Sequence, residues 1–147
     1  MRFQTKSAAL WLLLSVVPTF AANDQTLQQL EAKASAANPD DRVRLCLEIA
    51  ERRLRTAGDG FKAGQVDEAQ AAIKDVVDYA GQARDASVQS GKRIKNTEIV
   101  MRKLAAKVRE IKRTVNFDDQ APLQAASDEL EKIRTDLLSH MFAKDGR

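Results

Sequence analysis

Residues 66–115 keep seam positions at alternating steps of three and four without a slip: Val66, Ala69, Ile73, Val76, Ala80, Ala83, Ser87, Ser90, Ile94, Thr97, Met101, Leu104, Val108, Ile111 and Val115. This spacing holds one stripe on one side of an α-helix, whereas a strand would require alternation with period two. The stripe admits two folds. Read as one element, it is a helix of about 50 residues, some 75 Å long. Read as two, the chain turns at Ser90-Gly91 and helices of about 18–25 residues pack as an antiparallel bundle. Gly91 costs only about 1 kcal/mol inside a helix, too little to force a break, and the seam keeps phase across Ser87, Ser90 and Ile94. Against continuity, Ala80, Ala83, Ser87, Ser90 and Thr97 offer a partner a poor surface, and a compact bundle buries more of the remaining chain. The expected fold class is therefore all-α: a small antiparallel helical bundle, or an extended helical hairpin built on one long helix spanning about 66–115.

The flanking segments are helical as well. Asn38-Pro39-Asp40-Asp41 is the clearest start signal, combining a capping amide, a proline suited to the first turn and two carboxylates beside exposed amides. The helix it opens repeats Val43, Leu47, Ala50, Leu54 and Ala57, and Gly58 and Gly60 place its stop between Ala57 and Lys62. Val115–Pro122 breaks the rhythm, and Asp119 or Gln120 starts a last helix using Leu123, Ala126, Leu130, Ile133, Leu137 or Leu138, and Met141. Residues 22–37 have only Leu27 and Leu30 as large apolar anchors and are expected to form a polar arm or loose helix. A single helical domain then covers 38–142, with a frayed tail over 143–147.

Residues 1–21 have the form of an export signal. Arg2 and Lys6 precede the apolar run Ala8–Leu14 with Val16 and Val17, and Pro18-Thr19-Phe20-Ala21 closes it with small residues where a signal peptidase reads. The run is well short of the roughly 20 residues that span a bilayer. Removing Arg2 and Lys6 changes 24 basic residues to 22, against 21 acidic, so the mature chain is nearly neutral. A periplasmic or secreted location follows as an expectation. Cys46, the single cysteine, cannot form an internal disulfide and lies within Val43–Ile49, the setting of a buried structural thiol.

Phe61–Ile73 resembles the turn and second helix of a tetratricopeptide repeat. Gly64 matches the turn between helices, Ala69 the small residue where helices approach, and Ile73 and Val76 the apolar positions that follow. The likeness covers about 20 residues and is not repeated, whereas a solenoid needs about three repeats. It implies a tight helical hairpin between residues 39 and 83, not a peptide-binding array.

From 92 to 113 the charge is lopsided. Lys92, Arg93, Lys95, Arg102, Lys103, Lys107, Arg109, Lys112 and Arg113 face only Glu98 and Glu110, an excess of seven. Leu123–Met141 carries Asp128, Glu129, Glu131 and Asp136 against Lys132 and Arg134, so the basic helix has an acidic neighbour available within the chain. The candidate interaction surface is Arg102, Lys103, Lys107, Arg109, Lys112 and Arg113, rimming the seam of Leu104, Val108, Ile111 and Val115.

No catalytic grouping emerges. His140 is the single histidine, no Glu-x-x-His pair supports a di-iron site, and Gly58-Asp59-Gly60 lacks the ending of a phosphate loop. Asp118-Asp119 fits loop and cap chemistry better than calcium binding, and Ser87 and Ser90 have no base nearby in sequence. The chain is expected to be a secreted helical scaffold or protein-interaction module without catalytic activity, metal or cofactor. Its expected partners are a second copy or an envelope protein. The alternative is electrostatic binding to anionic envelope surfaces or polyanions through 92–113, with nucleic acid less suited than membrane.

Overall fold

The computed structural model describes residues 20–146 and shows an all-α bundle. Its helices are α1 (Phe20–Ala36), α2 (Pro39–Lys62), α3 (Val66–Ser90), α4 (Ile94–Lys112) and α5 (Gln120–Asp145), with a 3-10 turn at Phe117–Asp119 and no strand among the described residues. The leader-like segment 1–21 lies outside the described residues except for Phe20 and Ala21.

Local chemistry sets the boundaries. The Asn38 side chain accepts the Asp41 backbone N–H at 3.0 Å and donates to the Asp41 carboxylate at 2.8 Å, with Pro39 in the first turn. At the other end of α2, Gly64 takes φ +75°, and the Gln65 N–H returns to the Gly60 carbonyl at 2.9 Å. That left-handed step costs glycine little and folds α3 back along α2. The resulting α2–α3 hairpin is the most extensively packed pair in the molecule.

The single helix over 66–115 does not form; the chain breaks at Gly91–Arg93. Gly91 and Arg93 both adopt left-handed backbone, φ +66° and +60°. The polar seam positions explain why the phase continues through a break. Ser90 Oγ accepts the Lys92 N–H at 3.2 Å, and Ser87 Oγ and Thr97 Oγ1 share a buried hydrogen bond of 2.7 Å across the turn. Arg93 Nε reaches the Asp40 carboxylate at 2.6 Å, tying the turn to the start of α2. Ser87, Ser90 and Thr97 thus stitch the ends of two helices together rather than weakly lining one.

Two hairpins, α2–α3 and α4–α5, lie on each other with α3 against α5 and α2 beside α4. Arg84 of α3 reaches Asp136 of α5 at 3.5 Å. Buried positions in the second hairpin repeat those of the first at a constant separation of 54 residues. Val43, Leu47, Ala50, Leu54 and Ala57 correspond to Thr97, Met101, Leu104, Val108 and Ile111; Ala69, Ala72, Val76 and Ala83 correspond to Leu123, Ala126, Leu130 and Leu137. Ala50, Ala57, Ala69 and Ala83 correspond to larger residues in the second hairpin, so the buried positions recur while the residue types do not. α1 covers α2 through Leu27 and Ala34. The Arg42 guanidinium donates to carbonyls at the end of α1 and just past it, Ala34 at 3.1 Å and Ala37 at 2.9 Å. Arg53 ties α1 to α3, with Nη2 2.7 Å from Glu31 and Nε 3.2 Å from Asp75.

Candidate functional site

The structure divides the six basic candidates among three environments. Arg109 and Lys112 turn to α5. Arg109 Nη1 donates to Ser127 Oγ at 3.2 Å and to Glu131 at 3.0 Å, while Lys112 Nζ donates to the Gln124 side-chain oxygen. The contacts continue as a polar ladder: Arg134 bridges Glu131 at 3.3 Å and Glu98 at 2.7 Å. Hydrogen bonding from Arg109, then from Arg134, holds the Glu131 carboxyl below its ordinary range, and the Glu98 contact raises the Arg134 pKa. Glu98, only 8% exposed, is the most enclosed carboxylate of the ladder, and Arg134 satisfies it. Arg109 therefore matches charge within the chain, whereas Lys112 is held by a neutral amide.

Among the described residues Arg102 and Arg113 are exposed and form no ion pair, and Lys95, outside the six candidates, shares that condition. Lys103 and Lys107 occupy the third environment, a groove between α2 and α4 with a volume of about 550 Å³. Leu54, Gly58, Leu104 and Ile111 form its floor; Glu51, Arg55, Asp59 and Lys62 stand along the α2 rim, and Lys103, Lys107 and Glu110 along α4. Lys107 pairs with Glu110 at 3.0 Å. Glu51, Arg55, Asp59, Lys62 and Lys103 are exposed and make no ion pair or side-chain hydrogen bond among the described residues.

The groove's α2 half was missed in the sequence because Gly58 looked only like a stop signal. The helix runs through it. A Cβ added at Gly58 would meet Ile111 Cδ1 at 3.6 Å, ordinary contact, whereas one at Gly60 would meet the Ala69 Cβ at 3.1 Å. A side chain at Gly60 would thus press on the α2–α3 approach, whereas one methyl at Gly58 would not. The sequence carried no signal for this half of the groove, because the recess exists only once α4 lies beside α2.

Cys46 is fully buried, its Sγ 4.0 Å from Gln82 Oε1, and desolvation pushes its thiol up to about 11. A thiol held protonated is a poor nucleophile. Among the described residues, no group of three or more His, Cys, Asp or Glu side chains is placed to hold a metal ion, and no helix is long and apolar enough to cross a membrane. Comparison with protein families, curated proteins and solved structures gives no match.

Proposed function

We propose that this protein is an exported helical interaction module that engages a protein partner through the α2–α4 groove. The observation carrying the reading is the combination of an apolar floor with unpaired rim charges of both signs. Stacked helical hairpins commonly present such surfaces. Export rests on the leader-like residues 1–21. The anionic-surface alternative draws less support from the geometry. Arg109 and Lys112 are engaged with α5, and Glu51, Asp59 and Glu110 share the groove with Lys103 and Lys107.

A photo-cross-linking side chain placed at Lys103, with Lys95 as an outward-facing control, tests the proposal in the native cell envelope. The expected result is a discrete protein adduct through position 103 that is absent through position 95. Equal adducts from both positions, or none from 103, would refute a groove-directed interaction. Binding to acidic liposomes that disappears with salt would instead support the surface reading.

A further inference from the structure

We infer that the α2–α4 groove takes an extended peptide segment of about five residues, with apolar side chains at alternate positions. This deepens the interaction-module reading and rests on it. The first argument is size. The α2 rim runs from Glu51 to Lys62, about 16 Å at the helical rise per residue, which matches about five residues of extended chain. The floor supplies the second. A Cβ at Gly58 would make only ordinary contact with Ile111 Cδ1, so this part of the floor is bare helix backbone beside one side-chain end. An incoming helix has its backbone groups bonded internally and offers the rims only side chains. An extended strand turns alternate side chains to one side, and these reach between the rims.

Charge complementarity supplies the third argument. Extended backbone offers both N–H donors and carbonyl acceptors along its length. Arg55, Lys62 and Lys103 stand ready as donors, and Glu51 and Asp59 as acceptors, each without an ion pair or side-chain hydrogen bond among the described residues. An acyl chain would use none of these along its length. A polyanion would meet Glu51, Asp59 and Glu110 as repulsive neighbours. Gly58 fits the same picture: it leaves the slot open where alanine would be tolerated and a longer side chain would fill it.

The test uses the full chain with ¹³C-labelled leucine and isoleucine methyl groups, titrated with a capped heptapeptide of alternating serine and leucine. The controls are the same residues with the leucines contiguous, dodecanoate and heparin. The alternating peptide is expected to shift the methyls of Leu54, Leu104 and Ile111 saturably and at least ten-fold more tightly than any control. Gly58→Leu should abolish the shifts by filling the floor. Should that variant fail to fold, the exposed double change Arg55→Glu with Lys103→Glu reads the rim instead and should weaken binding at least ten-fold with unchanged circular dichroism. No methyl shift, an equal response to a control, or undiminished binding in the folded variants would overturn the extended-peptide assignment. A position-103 adduct persisting alongside such a failure would leave the interaction module standing with a different kind of occupant.

Discussion

Gly58 and Gly60 stand two positions apart on α2 and meet opposite constraints. At Gly58 a methyl group would make ordinary contact with Ile111, so Gly58→Ala should gain about 0.5–1 kcal/mol from helix propensity and reduced unfolded-state freedom. At Gly60 the same methyl meets Ala69, itself buried, at 3.1 Å. Overpacking there should outweigh the propensity gain and cost about 1–3 kcal/mol. Urea midpoints of the two variants check the pair, and equal stabilisation would show that α2 and α3 can part freely. Cys46 gives a second test. Burial raises its pKa from 9.0 to about 11, so the folded state holds the proton more tightly than the unfolded chain. That contribution is complete below pH 9 and is lost as pH rises toward 11. Cys46→Ala should flatten this stretch of the stability profile, and a thiol reagent at pH 8 should label the wild type only as fast as it opens.

At the scale of the helix, the break at Gly91–Arg93 is the feature most open to attack. In a continuous helix, Gly91→Ala would stabilise by about 1 kcal/mol. At φ +66° it should instead destabilise by about 1–2 kcal/mol, because a Cβ is disfavoured in left-handed backbone. The sign of the change in denaturation midpoint therefore separates the two architectures. The turn also carries a pH signature. Hydrogen bonding from Arg93 lowers the Asp40 pKa against the opposing effect of burial. The folded state then binds this proton less readily than the unfolded chain. Its stabilisation is present above the ordinary value of 3.8 and fades as pH falls through the lowered one. Asp40→Asn should reduce the loss of stability in that acidic window, measured by thermal melts across it. Helix identity, the Asn38 start and the hairpin around Gly64 were legible because each depends on nearby residues. The break was legible only as one of two readings of Ser90-Gly91. Its decisive contacts, Ser87 with Thr97 and Arg93 with Asp40, exist only after the hairpins have met. The basic run was visible as charge, but its division among groove, ladder and open surface depends on the neighbours of each side chain, which periodicity does not give.

Across the whole molecule, the 54-residue recurrence of buried positions makes two stacked hairpins whose remaining faces are closed differently. α1 lies over α2, fixed through Arg42 and Arg53. On α4–α5, the Arg109–Glu131–Arg134–Glu98 ladder supplies a polar surface, the kind of ending that keeps stacked repeats soluble. The groove is left as the recess between the two hairpins. Ladder and groove draw on the same basic helix, yet they should respond oppositely to mutation. Removing the guanidinium in Arg134→Ala strands the enclosed Glu98 carboxylate and should lower the melting temperature clearly; Lys103→Glu, on the exposed rim, should remain within about 0.5 kcal/mol of wild type. Replacing both ladder partners, Arg134→Met with Glu98→Leu, should recover much of the loss because no enclosed charge is left alone. Thermal melts of the three variants decide the matter. If Lys103→Glu proved as damaging as Arg134→Ala, the groove rim would be part of the structural framework, and its unpaired charges would no longer argue for a partner.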